Sequence, residues 1–164
     1  MKKITTRQLA VCGILAALYA VVTVASSSFA YGPIQFRLSE ALCVLPFFAP
    51  YTTWGLFIGC LIANLFSTVS ALDIVVGSAA TLLGCYLTSR LRSRWLVPLP
   101  TILVNAVMVG AMLAWVYTRD AFFTGFVTMG VQVALGEAAV LIVLGFPLML
   151  LLQKNGLSGR LFGR

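Results

Sequence analysis

The stretch YGPIQFRLSEAL, Tyr31 to Leu42, stands between an apolar run of about twenty residues and more than a hundred further residues that are mostly apolar. It sets Arg37 and Glu40 three residues apart where the surrounding chain has almost no charge. Gly32 and Pro33 predict a turn. Ser39 is placed to cap a helix that follows, with Glu40 in its first turn, where the helix dipole favours a carboxylate. Two readings stay open. Arg37 pairs locally with Glu40, or this loop and short helix cover an outward-facing pocket lined by Glu40 or Arg37.

The surroundings define the class. The chain has 164 residues, of which 61% are hydrophobic and 9% charged. Soluble domains run about 45–50% apolar and about 25% charged. A water-soluble fold of this size has no interior large enough for the excess, so the sequence predicts an all-α, polytopic membrane protein forming a single domain over residues 1–164.

The net charge is +7, but its placement argues for topology and against nucleic acid. Lys2, Lys3 and Arg7 precede the first apolar run, Arg90, Arg92 and Arg94 share one short connection, and Lys154, Arg160 and Arg164 sit in the tail. Apolar runs and their Pro and Ser punctuation predict six helices, at about residues 6–27, 39–48, 53–70, 74–89, 97–117 and 123–152. The second is too short to span cleanly and must be buried among its neighbours or lie near one face. With both termini inside, nine of the 11 Lys and Arg are cytoplasmic and only Arg37 and Arg119 are outside. The positive-inside rule therefore predicts N-in, C-in. The apolar run from Leu9 to Ala25 exceeds the usual signal-peptide core of about 7–15 residues, so a retained first helix is expected.

Cys12, Cys43, Cys60 and Cys85 each lie inside apolar runs without metal spacing, and there is no His. They read as reduced small hydrophobes; neither a metal nor a cofactor is expected. An enzyme would need acids or nucleophiles at the cytoplasmic face, whereas the acids here fall outside or in mid-membrane, so no enzyme is expected.

Charge inside a membrane is costly and needs a reason, about 2.5–3.5 kcal/mol per group at a helix centre by insertion scales. Glu137 lies near the centre of the last predicted span, as an acceptor for a cationic or guanidine-like ligand edge or as half of a pair with a distant Arg. Gln132 is five residues away, roughly 140° around a straight helix, so both cannot point squarely into one pocket, and Glu137 takes precedence. Asp73 reads as an N-cap of the fourth helix, with ligand contact compatible. Asn64 and Asn105 serve either a ligand or interhelical hydrogen bonds. Asp120 reads as solvated. Tyr31, Phe36, Trp54, Trp115 and Tyr117 are candidate flat walls or interfacial belt residues.

In the first helix, Gly13 and Ala17 are four apart, as are Ala16 and Ala20. Small residues at this spacing let helices approach closely, within the bundle or against another protein.

Taken together, YGPIQFRLSEALCVLPFFAP (Tyr31 to Pro50), the basic N-terminus and the small-residue first helix resemble the substrate-binding S components of energy-coupling factor (ECF) transporters. The likeness is greatest to the queuosine-precursor (QueT) family. The resemblance implies a six-helix bundle that binds a 7-deazaguanine base near the outer face of a bacterial cytoplasmic membrane. The base is the aminomethyl or the cyano form; another vitamin or purine-like solute is the alternative. It also implies an EcfT-type transmembrane coupling protein and two EcfA-type cytosolic ATPases as partners, docked through Gly13, Ala16, Ala17 and Ala20. The first external loop, with Tyr31, Gly32, Pro33 and Gln35, would act as a lid. The candidate substrate contacts are then Glu137, Glu40, Asp73, Asn64, Gln132, Asn105, Arg37, Trp115 and Phe36.

Overall fold

A computed structural model describes residues 5–31, 35–154 and 159; Gly32 and Pro33 of the expected lid lie outside them. Every regular element among the described residues is helical. Helix α1 (Thr6–Ala25) opens with a reciprocal cap: the Thr5 hydroxyl accepts from the Gln8 amide at 3.3 Å, and the Gln8 side chain accepts from the Thr5 amide at 3.0 Å. This satisfies two of the otherwise orphaned N–H groups of a helix start. A single turn (Ser27–Ala30) follows. Helix α2 (Leu38–Phe47) is a 3-10 helix, then come α3 (Thr52–Asn64) and α4 (Leu72–Arg90). Helix α5 (Pro98–Tyr117) starts on Pro98, which gives up an N–H that would have been unpaired there anyway. Helix α6 (Phe122–Val140) passes through a π-helical turn (Leu141–Gly145) into α7 (Phe146–Lys154).

Four segments are long and apolar enough to cross a membrane: Thr6–Ala25, Leu72–Arg90, Arg94–Tyr117 and Arg119–Lys154. Large apolar side chains such as Leu9, Ile14, Val21, Leu103 and Leu135 are exposed around them, as a lipid-facing surface requires. The chain is thus a multi-pass membrane protein. Helices α2 and α3 are shorter apolar helices.

The third helix ends at Asn64, earlier than the apolar run to residue 70 predicts. The reason is local chemistry. The Ser67 hydroxyl accepts from the Val69 amide and that of Ser70 from the Leu72 amide, offering the backbone partners other than a helix. The last helix departs from regularity just before Pro147, which has no N–H to give to residue 143. The π turn absorbs the mismatch and sets Gly145 against α2, where a Cβ would come within 3.0 Å of Val44 and 3.3 Å of the Ala41 carbonyl.

Packing runs in sequence around the bundle, α1 on α3, α3 on α4, α4 on α5 and α5 on α6. Leu148 and Leu152 of α7 join Leu15 and Tyr19 of α1 in one core cluster and close the ring. The α1–α3 contact is backbone on backbone. A Cβ on Gly59 would lie 2.7 Å from the Ala16 carbonyl oxygen and 2.9 Å from its Cα. Ala16 and Ala20 are accordingly buried inside the bundle, whereas Gly13 and Ala17 face outward. Of the four residues expected to dock a partner, Ala16 and Ala20 thus face α3, and Gly13 and Ala17 lie on the outside of the bundle. Helix α2 fills the middle, touching α1, α3, α4, α6, α7 and the π turn. Buried among neighbours was one of the two fates its length allowed.

Candidate functional site

Arg37 stands just before α2 in extended backbone, φ −94° and ψ 102°. Its Nη2 donates to both carboxylate oxygens of Asp73 at 2.9 Å, and the two side chains are 4% and 0% exposed. The guanidinium also lies 5.8 Å from the centre of the Tyr31 ring, whose hydroxyl donates to the Ala63 carbonyl. Asp73 Oδ2 accepts a further bond from Ser67 at 2.7 Å. From below, Asn64 Nδ2 donates to the Asp73 carbonyl at 3.0 Å and to the Ser78 hydroxyl at 3.3 Å.

This arrangement corrects two local readings. Arg37 does not hydrogen-bond Glu40, its neighbour in sequence, but an acid on α4. Asp73 does not cap α4: Ala71 holds the cap position, and the carboxylate is drawn to the buried guanidinium instead. A buried cation without a carboxylate costs several kcal/mol, far more than the ~1 kcal/mol of a missing cap.

Glu40, in the first turn of α2, is 1% exposed. Its Oε1 accepts from the Tyr19 hydroxyl of α1 and from Thr81 of α4 at 3.1 Å. Its Oε2 accepts from the Cys43 thiol at 2.9 Å, a weak donor. Ser39 likewise gives up the capping role expected of it: its hydroxyl bonds Thr23 of α1 at 2.6 Å. Polar side chains on α2 thus face polar groups on α1 and α4, which holds the 3-10 helix in register.

Glu137 of α6 is 2% exposed. Asn105 of α5 donates to its Oε1 at 2.8 Å. Its Oε2 is buried with no hydrogen-bond partner among the described residues. Glu137 also lies within electrostatic range of Glu40, which repels it, and of Arg37, which attracts it. The centre of the bundle therefore gathers three carboxylates and one guanidinium, and Asp73 engages the guanidinium. Glu40 and Glu137 are left as a pair of acids without a cation of their own among the described residues. A buried acid in such a setting either holds a proton or meets a cation.

Gln35, from the expected lid, is 2% exposed, adopts a positive φ of 52°, and has both amide atoms unpartnered among the described residues. A non-glycine residue in the left-handed region carries a cost of about 1–2 kcal/mol. Phe36 is half-buried beside Arg37. Gln132 is half-buried, its enclosed amide oxygen without a partner among the described residues, while Glu137 is buried. Of the two roles open to Trp115, its surroundings favour the belt. It is 50% exposed, packs edge-on against Phe122 and carries Arg119 over its ring at 4.6 Å, the setting of an interfacial belt residue.

Sequence reasoning missed Tyr19, Thr81, Ser67 and Ser78. Tyr and Thr are common in apolar helices, and only burial shows that their hydroxyls point at acids. One signal was present: Thr81 lies eight residues after Asp73, and α-helical spacing puts the two within about 80° of each other on one face.

A multi-pass helical membrane protein whose enclosed centre carries more acid than base has the make-up of a solute carrier. The comparisons agree in class: the chain belongs to the QueT transporter family, whose model matches residues 9–154. It is 40% identical over 84 residues to the queuosine precursor transporter QueT of Lactococcus lactis subsp. cremoris (strain MG1363). That alignment takes in 50% of this chain and 49% of the relative, so it spans about half the length of each. No solved structure matches the chain.

Proposed function

We propose that this protein is the substrate-binding component of an ECF-type importer in a bacterial cytoplasmic membrane, and that it captures the queuosine precursor 7-aminomethyl-7-deazaguanine. Membership of a transporter family supports the class, and the likeness to a queuosine precursor transporter of Lactococcus supports the kind of solute. The observation that carries the reading is the pair Glu40 and Glu137, two buried acids with no cation of their own among the described residues. The base offers a matching pair of features. Its guanidine-like edge presents adjacent N–H donors that one carboxylate accepts together, and its protonated aminomethyl arm seeks a second acid. Charge-assisted bonds of both kinds are shorter and roughly twice as strong as neutral ones.

In this account Glu137 Oε2 and Asn105 meet the ring edge, Glu40 holds the arm, and the Gln35 amide contributes from the lid. Asp73, Asn64 and Arg37 brace the outer end of the pocket. The cyano form lacks the cationic arm and leaves one acid uncompensated. All six predicted segments cross or re-enter the membrane with both termini inside. That topology gains support from the burial of Arg37 in an ion pair, which leaves Arg119 as the only exposed basic residue on the outer side among the described residues.

Uptake is driven by partners: an EcfT-type coupling protein docks on the outward face of α1 at Gly13 and Ala17, and two EcfA-type ATPases power it. The test is reconstitution in proteoliposomes. ATP-dependent accumulation of the base only when coupling protein and ATPases are present supports the assignment. Accumulation by the chain alone contradicts the ECF mechanism, and preferential uptake of another purine contradicts the substrate.

A further inference from the structure

Helices α3 and α4 are antiparallel neighbours. One end of the pair holds Asn64 and Asp73; the other, where α3 begins and α4 ends, opens into a groove of about 890 Å³. Its walls are apolar, from Trp54, Leu82 and Leu83, and its mouth carries Tyr86, Ser89 and Arg90. Arg90 lies over the Tyr86 ring at 5.0 Å and donates from Nη2 to the Tyr86 hydroxyl at 2.9 Å. This steadies an exposed cation at the mouth and leaves further guanidinium N–H groups to donate. Arg7 adds positive charge within electrostatic range of Tyr51, another lining residue.

A second observation points to an occupant. Thr53 also lines the groove; it is only 6% exposed, and its hydroxyl has no hydrogen-bond partner among the described residues. Its neighbour Thr52 satisfies its own hydroxyl on the Ala49 carbonyl at 2.7 Å, so the local backbone offers such a bond and Thr53 does not take it. An apolar trough with one enclosed hydroxyl and a basic, aromatic mouth suits an amphiphile with an anionic head.

We propose that this groove is a binding site for an anionic glycerophospholipid, its headgroup phosphate held by Arg90 and Ser89 and one acyl chain laid against Trp54, Leu82 and Leu83. Turned about its χ1 toward the groove, the Thr53 hydroxyl donates to an ester oxygen where chain and headgroup join. The bilayer presents this class of molecule along the whole side of the protein, and basic pockets between membrane helices recognise such headgroups. Phosphate, glycerol and acyl chains are common to zwitterionic species, so selectivity rests on the extra ammonium of those lipids, which Arg90 at the mouth repels.

The test is native mass spectrometry of the full chain released from nanodiscs containing equal phosphatidylglycerol and phosphatidylcholine with the same acyl chains. The protein retains phosphatidylglycerol over phosphatidylcholine by about five-fold or more, in line with the effect of a basic residue near an anionic surface. Arg90→Ala abolishes the preference, Arg90→Lys keeps most of it, and Thr53→Val lowers total retention. Leu83→Trp, which fills the trough, removes bound lipid while circular dichroism shows the helices intact. Arg92→Ala, exposed in the neighbouring connection, leaves retention unchanged. Equal retention of the two lipids overturns the proposal, as does an Arg92→Ala effect as large as that of Arg90→Ala. So does displacement of the lipid by glycerol phosphate alone, or a protein dimer that Leu83→Trp dissolves.

Discussion

Asn105 on α5 donates to Oε1 of Glu137 on α6 at 2.8 Å, while Glu137 Oε2 stays buried without a partner among the described residues. One oxygen is thus positioned by the protein and the other is left to accept. If this acceptor meets the substrate, Glu137→Gln keeps the shape and removes the charge. Hydrogen bonds to charged groups are worth about 1.5–3 kcal/mol, so affinity for the base falls about 10- to 100-fold with little change in thermal stability. Asn105→Ala weakens binding less, because it loosens the carboxylate without removing it. Calorimetric titration of the purified variants reads both effects.

The Arg37–Asp73 pair serves structure first. Replacing either partner alone, as Arg37→Met or Asp73→Leu, strands a buried charge and costs about 3–5 kcal/mol. The double replacement by both apolar residues recovers a large part of that loss. Thermal denaturation in detergent, run as a double-mutant cycle, tests this. Equal and additive losses would show that the two side chains do not act as a pair.

The glycines of α1 and α3 differ sharply in what surrounds them. A methyl group on Gly59 meets the Ala16 backbone below 3.0 Å, while one on Gly13 meets nothing within 4 Å. Gly59→Ala therefore lowers stability by about 1–3 kcal/mol through overpacking. Gly13→Ala is neutral or slightly stabilising, since it also raises helix propensity. The melting temperatures of the two variants, measured side by side, decide it.

The outward face of α1 should separate binding from transport. Gly13→Trp with Ala17→Trp points two large rings away from the bundle, so solute binding and thermal stability persist. ATP-driven uptake with the partner subunits falls to background. A variant that also loses binding would place these residues in the bundle core, contrary to their exposure.

The membrane class and most helix positions were legible because they are written locally, in apolar runs and in the Pro and Gly that punctuate them. The end of α3 was not, since Leu65 and Phe66 continue the apolar run and only the serine hydroxyls beyond them divert the backbone. Of the candidate site, the three buried acids, Glu40, Asp73 and Glu137, were visible as charges out of place. Their pairing was not. Arg37 is three residues from Glu40 and 36 from Asp73, and sequence distance favours the wrong partner. Trp115 looked like a binding wall because aromatic side chains serve walls and interfacial belts alike, and only packing tells them apart.

The central claim is that the two acids, Glu40 and Glu137, bind a cationic base. The direct measurement is calorimetric titration of the purified full chain with 7-aminomethyl-7-deazaguanine and, separately, with the 7-cyano form. The account predicts saturable binding of the aminomethyl base, at least about ten-fold tighter than the cyano base, the value of one charge-assisted bond. Removing the charge of Glu40 by Glu40→Gln should narrow that gap. Equal affinity for the two forms, or tighter binding of the cyano form, would contradict it.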